Sequence, residues 1–193
     1  MKCVIIGAGK IARGFIGHLL FLSKIPFIFI ENNENLVNLL NERKKYTVNI
    51  LGCPEKNCVV TDINAVNLNE TEKAIEIIAE SDVVFTAIGG KNLKSISFLI
   101  AKAIDKKALS GKNLNIITCE NWKKPADILK QDIKSYISDN TTEYFENNLG
   151  ISEAVIMRSA IEPDAESLKN DPLTVNVQNF WSLPVDASRV VGK

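Results

Sequence analysis

The 193-residue chain has no surplus of charge: lysine plus arginine and aspartate plus glutamate each number 23. The basic footprint of a nucleic-acid binder is therefore missing. Histidine occurs once, and the four cysteines (Cys3, Cys53, Cys58 and Cys119) stand in no metal or disulfide spacing. That argues against a metal site and points to a reducing compartment, the cytoplasm. Cys53 and Cys58 leave two readings open, a pair facing across a hairpin or two unpaired thiols on a half-exposed strand. No apolar run approaches the roughly 18 residues of a membrane helix. The opening, one lysine ahead of a strand, does not read as a signal peptide. Repeats and low-complexity tracts are also absent. What remains is ordinary globular composition, 46% hydrophobic and 24% charged, with length for one domain and a full core.

The most informative stretch is 2–20. Val4 to Ile6 reads as a buried strand that ends at Gly7. Ile11, Phe15, Leu19 and Leu22 then recur at helical spacing, with Ala12, Ile16 and Leu20 widening the same face. Between strand and helix lies Gly7-x-Gly9-x-x-Ala12, the pattern of a dinucleotide-binding turn. Gly7 makes the tight turn, Gly9 leaves room for a pyrophosphate, and Ala12 lets helix and strand pack closely. The helix start offers free N–H groups to phosphates. A second strand, Phe27 to Ile30, ends on Glu31, about twenty residues past the glycines, where a carboxylate accepts ribose hydroxyls. A 2′-phosphate there meets a like charge, so NAD is expected over NADP. Methyltransferases also combine a glycine turn with an acid after the second strand; the Gly-x-Gly-x-x-Ala spacing leans against them.

The rest of the chain continues the alternation. Asn32 or Asn33 caps a helix with Leu36, Val37, Leu39 and Leu40 inward. Tyr46, Val48 and Ile50 alternate with polar residues, and 45–67 reads as an antiparallel addition. A helix from about Glu70 to Glu80 leads to a buried parallel strand within Asp82–Ile88 that breaks at Gly89-Gly90. A further helix, Leu93 to Ile104, stops at Ser110-Gly111. Leu114 to Thr118 is the next strand and ends in Cys119-Glu120-Asn121 at the ligand edge. Pro125 opens a helix to about Ile137, and Thr141 to Leu149 is a short polar helix closed by Gly150. Beyond it, Ala154 to Met157 and Leu173 to Val177 read as strands around a Pro163–Pro172 loop. The expected fold is an α/β, Rossmann-type, doubly wound and mainly parallel sheet. Its core is 1–150, with antiparallel additions at 45–67 and 151–180 and a C-terminal extension over 151–193.

The stretch Gly7 to Gly17 resembles the opening of the mannitol-1-phosphate branch of the polyol (mannitol) dehydrogenase family. The resemblance runs collinearly through Leu39-Asn41-Arg43, Thr86-Ala87-Ile88-Gly89, Ile116 to Asn121 and Asn170-Asp171-Pro172-Leu173. Ala12 departs from the glycine usual there. The resemblance implies an NAD-dependent dehydrogenase that acts on a sugar-alcohol phosphate, related to a ketose such as fructose 6-phosphate. It implies that Gly7, Ala8, Gly9, Lys10, Ile11, Ala12, Arg13 and Gly14 cradle the pyrophosphate and that Glu31 binds the adenosine ribose. Thr86, Ala87, Ile88 and Gly89 would line the adenine and nicotinamide side. Asn121 would polarise the reacting oxygen, a role a neutral amide donor can fill; it also suits a helix N-cap before Trp122.

The family's general base is a lysine in Lys-x4-Asn-x2-His on a helical second domain. Here only Lys44 has an asparagine at that distance, Asn49, and Gly52 stands where the histidine would be. The expectation is the cofactor half of the enzyme, inactive alone, with the helical catalytic domain absent. An apolar docking face near Phe180, Trp181 and Val190 would then allow self-association. Free mannitol or a hexuronate as substrate, and a stand-alone NAD-sensing module, are the other readings. His18 reads as solvated or ribose-side, Glu162, Asp164 and Glu166 as a flexible acidic loop, and Arg158 as a phosphate ligand or a surface arginine.

Overall fold

The structure, a computed structural model, describes residues 1–192. Its centre is a six-stranded parallel sheet made of β1 (Cys3–Ile6), β2 (Phe27–Glu31), β5 (Ala65–Asn67), β6 (Val83–Thr86), β7 (Leu114–Thr118) and β8 (Leu149–Glu153). The spatial order is β5-β2-β1-β6-β7-β8, and every pairing is parallel. Successive residues of β1 serve opposite cores. Val4 and Ile6 pack with the helices on one face, Cys3 and Ile5 with the layer on the other. A strand covered on both faces has no polar side to show, which is why it reads as one apolar run.

One face is covered by α3 (Thr71–Glu80), α4 (Leu93–Ala108), α5 (Pro125–Lys134) and α6 (Thr142–Asn147). The other carries the glycine-turn helix, α2 (Glu34–Arg43) and a second sheet. The glycine-turn helix is π-helical over Ala12–Gly17 and runs on as α1 (His18–Leu22). In α2, Asn33 Oδ1 accepts the Leu36 N–H at 3.2 Å, a side-chain cap. The second sheet is four-stranded, with β3 (Lys45–Ile50), β4 (Cys58–Thr61), β9 (Ala160–Ile161) and β10 (Val175–Val177) in the order β4-β3-β10-β9. The alternation of β3 is real: Tyr46, Val48 and Ile50 are buried.

Glycines set how closely the layers approach. A Cβ on Gly14 would lie 2.6 Å from Val177 Cγ1, and one on Gly17 2.6 Å from the Tyr46 hydroxyl. That hydroxyl donates to the Arg13 carbonyl at 2.9 Å. Asp171 ties the sheet together, its carboxylate accepting the Thr47 N–H at 2.9 Å and the Leu173 N–H at 3.0 Å.

The structure corrects the expected additions. Ala65–Asn67 is no antiparallel piece; it is the parallel edge strand of the main sheet. The Asn41 amide fixes it there, accepting the Ala65 N–H at 2.9 Å and donating to the Ala65 carbonyl at 2.8 Å. Gly150 does not end a helix but lies inside β8, where a Cβ would stand 2.2 Å from Asn115 Oδ1. The strand expected at Ala154 to Met157 is displaced to Leu149–Glu153; Ala154 makes only an isolated bridge to Val185. β10 pairs parallel with β3 and antiparallel with β9, so the second sheet is mixed. The Pro163–Pro172 stretch holds a short helix, α7 (Ala165–Asn170), capped by Asp164.

Gly14→Ala is expected to destabilise the chain by about 1–3 kcal/mol, because stiff valine branches must yield to the new methyl. Urea unfolding followed by circular dichroism measures it.

Candidate functional site

The order of the main sheet reverses direction at β1, whose neighbours are β2 and β6. Ligands of open α/β sheets bind at the carboxyl ends beside such a reversal. A crevice of about 330 Å³ lies there, lined by Gly7, Gly9, Glu31, Ala87 and Ile88. Ile6, Ile30 and Asn32 line it as well, together with Leu68, Asn92, Ser95 and Ile96, which the sequence does not single out for the site. Asn92 to Ile96 begin the helix after β6, a position that the strand–turn–helix reading already pointed to. Leu68 follows β5, whose place in the sheet had no local signal.

The two glycines of the turn are small for different reasons. Gly7 has φ +96°, and a Cβ would sit 2.4 Å from the Ala87 carbonyl oxygen, so the fold itself requires glycine. Gly9 is exposed, has no such φ, and a Cβ there would meet nothing within 4 Å. Neither strain nor packing in the protein accounts for it. At the rim, Glu31 Oε2 accepts the Ala8 N–H at 2.7 Å and Oε1 the Asn33 N–H at 2.9 Å. These bonds hold the carboxylate against the turn.

The remaining turn residues divide. Ala8 and Ala12 are fully buried packing residues, while Lys10 and Ile11 are half-buried. Lys10 pairs with Glu162. Arg13 points inward and donates to the Ala8 carbonyl and, at 3.3 Å, to the Leu173 carbonyl; burial lowers its pKa. Arg13 and Gly14 are thus turned to the second sheet rather than to the crevice, and the structure gives both a packing task. Thr86 is fully buried and does not line the crevice either.

A second cavity, about 310 Å³, opens at the carboxyl ends of β7 and β8 beside Glu120, Asn121, Trp122 and Glu153. Glu120 is buried, and its two oxygens accept the N–H groups of Ile88 (3.0 Å) and Gly89 (2.8 Å). It fixes the loop between β6 and α4, where Gly89 has φ +83°. Asn121 is exposed in this cavity and caps no helix, since α5 starts at Pro125 behind Lys124. Trp122 lies over Gly90, where a Cβ would come within 2.2 Å of the indole.

Two expectations fail on burial. His18 is fully buried, not solvated, and Arg158 is 1% exposed, not a surface arginine. Burial first and Arg158 second push the His18 pKa down to about 4. The acidic stretch is no loose loop: Glu162 pairs with Lys10, while Asp164 accepts the Ser167 N–H at 2.8 Å. On the expected docking face Trp181 is exposed, whereas Phe180 and Val190 are half-buried. Among the described residues, no helix is long and apolar enough to cross a membrane.

A parallel sheet with a crevice at its reversal point, and a glycine turn open to that crevice, define a nucleotide-binding domain of the dehydrogenase type. The family profile described as the mannitol dehydrogenase Rossmann domain matches residues 1–193, and the chain belongs to that family. Mannitol-1-phosphate 5-dehydrogenase of Shouchella clausii (strain KSM-K16) is 36% identical over 193 residues, 100% of this chain and 50% of that relative. The chain therefore spans half the length of this curated relative. Among solved structures, an octopine dehydrogenase with NADH and L-arginine superposes with a TM-score of 0.62 at 12% identity, over 92% of this chain and 39% of that one. A PanE/ApbA family ketopantoate reductase from Ralstonia eutropha JMP134 gives 0.60 at 15% identity, over 91% of this chain and 46% of the other. At those identities the fold is what is shared.

Gly9→Ala is expected to leave the urea midpoint unchanged and to weaken NADH binding at least about tenfold, read by quenching of protein fluorescence. His18 also makes stability depend on pH. The unfolded imidazole takes up a proton near pH 6.5 and the folded one only near 4, so the unfolded state binds more protons between those values. Stability is full above the unfolded value and falls by up to about 3 kcal/mol as pH drops through that window. His18→Gln should flatten this part of the profile in urea titrations at several pH values.

Proposed function

We propose that this chain is the NAD(H)-binding half of a dehydrogenase that interconverts mannitol 1-phosphate and fructose 6-phosphate. The observation that carries the reading is the open space over Gly9 together with the Glu31 carboxylate fixed beside it. When bound, the dinucleotide accepts or supplies the hydride. The chain's own residues bind and orient it. The Gly7–Ile11 turn, with Ala12 packed behind it, presents backbone N–H groups to the pyrophosphate.

Glu31 selects the ribose. A carboxylate has about four acceptor positions, and protein N–H groups occupy two of them. The others remain for the two ribose hydroxyls, and a 2′-phosphate in the same place is repelled. Ala87, Ile88 and Gly89, held by Glu120, form the opposite wall. Asn121 offers a neutral N–H to the reacting oxygen, which stabilises developing alkoxide charge without neutralising a base.

The sugar-phosphate assignment rests on the 36% identical mannitol-1-phosphate 5-dehydrogenase. No lysine here fits the family's base motif, so the general base comes from the half of the enzyme that this chain does not span. Without that base and a held substrate, proton and hydride transfer lose their two main contributors. Self-association through the Trp181 face, and action in the cytoplasm, belong to the same reading.

The test is NADH titration of the chain beside NADPH and a Glu31→Ala variant. NADH should bind at least about tenfold more tightly than NADPH, and the variant should narrow that ratio. No binding at millimolar NADH, or equal affinity for the two cofactors, would overturn the cofactor assignment. Mannitol 1-phosphate oxidation by the chain alone would overturn its inactivity.

A further inference from the structure

His18 is the only histidine of the chain. Its Nδ1 lies 3.1 Å from Arg158 Nη1, and both residues are essentially shut off from solvent. A guanidinium nitrogen can only donate. Nδ1 is therefore the acceptor, and the neutral ring carries its proton on Nε2. Arg158 donates further to the carbonyls of Gln178 at 3.0 Å and Gly14 at 2.8 Å. Two nitrogens are left over. His18 Nε2 and Arg158 Nη2 are buried and have no hydrogen-bond partner among the described residues.

Both orphans are donors, and one belongs to a buried cation. Among the described residues no carboxylate pairs with Arg158. Buried polar groups are nearly always satisfied, and a buried charge without a counter-charge is costly. Two aromatic rings flank the guanidinium, and one of them, Phe15 at 5.3 Å, is fully buried. The Trp181 ring lies 4.6 Å from the guanidinium carbon and 5.5 Å from the His18 ring. Trp181 belongs to 178–184, which forms neither helix nor strand, and is itself exposed. Its Nε1–H reaches Asn179 at 2.5 Å, one hydrogen bond for the ring to give up, while Asn179 itself is tied to Cys53 at 3.2 Å and to Lys56 at 3.4 Å.

We propose that His18 and Arg158 form an oxyanion-binding site, for a carboxylate or phosphate group, that opens when the Trp181 ring swings aside. Arg158 supplies the charge and the Nη2–H donor, and His18 supplies a second, neutral donor. Charge-assisted bonds of this kind are about twice as strong as neutral ones. Neither residue lines the nucleotide crevice, so the site stands apart from the cofactor reading. The oxyanion is either free in solution or a carboxylate on a second copy of the chain, and both satisfy the same two donors.

The single histidine makes the test direct. The chain is labelled with ¹⁵N-histidine and its imidazole resonances are followed at neutral pH and constant ionic strength. Sodium acetate, inorganic phosphate and, as control, sodium chloride are added in turn. The Nε2 resonance should shift saturably with acetate or phosphate and not with chloride, with tryptophan fluorescence changing at the same midpoint. Arg158→Gln should weaken that midpoint at least about tenfold. Trp181→Ala keeps both donors and should retain or tighten it. A shift that instead follows protein concentration, with dimers in sedimentation, assigns the acceptor to a second copy. An Nε2 resonance indifferent to both anions and to protein concentration overturns the proposal, as does an undiminished response in folded Arg158→Gln. If that variant does not fold, the wild-type and Trp181→Ala titrations decide.

Discussion

The arrangement depends on how closely the glycine-turn helix lies against the second sheet. Gly14 and Gly17 carry no side chains on the face that meets Val175, Val177 and Tyr46. With the backbones so near, main-chain groups become partners: the Arg13 carbonyl accepts from Tyr46, and the Arg13 side chain reaches the Leu173 carbonyl. The helix is π-wound over this contact, and such segments concentrate at functional sites. Its other end is the glycine turn. The second sheet, remote from the crevice in sequence, is thus what holds the helix start in position at the crevice mouth.

Within the crevice, requirements of the fold and of a ligand can be told apart residue by residue. Gly7 answers to the Ala87 carbonyl, while Gly9 answers to nothing in the protein. Glu31 and Glu120 are matched in an unexpected way. Each carboxylate accepts two backbone N–H groups, Glu31 at the β1 turn and Glu120 at the loop after β6. Facing walls of the crevice are therefore both fixed by acids at strand ends, although only one of them borders the crevice itself.

The sequence announced whatever is governed by short-range period and spacing. β1, the glycine turn, Glu31, the buried strand before Gly89 and the alternation of β3 are of this kind. It did not announce what long-range partners decide. Three residues, Ala65–Asn67, join the main sheet because the Asn41 amide grips Ala65 across twenty-four positions. Val155 and Met157 sit in an apolar run yet stand exposed, because the strand was already spent at Glu153. Arg158 and His18 failed in the opposite direction. Polar side chains are presumed to lie outside, and only the carbonyls of Gly14 and Gln178, brought together by tertiary folding, make an inside place for an arginine. In the site, Gly9 and Glu31 were legible, whereas the inward turn of Arg13 was not, since nothing local distinguishes a phosphate ligand from a packing arginine.

The Glu120 clamp has a thermodynamic side. A loop whose amides are already engaged gives up little freedom when a ligand settles against it, and ordering costs of that kind usually subtract from affinity. Binding here should draw mainly on burial of the apolar surface of Ile88 and Leu68, both half-buried in the crevice lining. The heat-capacity change of association would then scale with that surface and carry little of the larger signature that accompanies coupled folding.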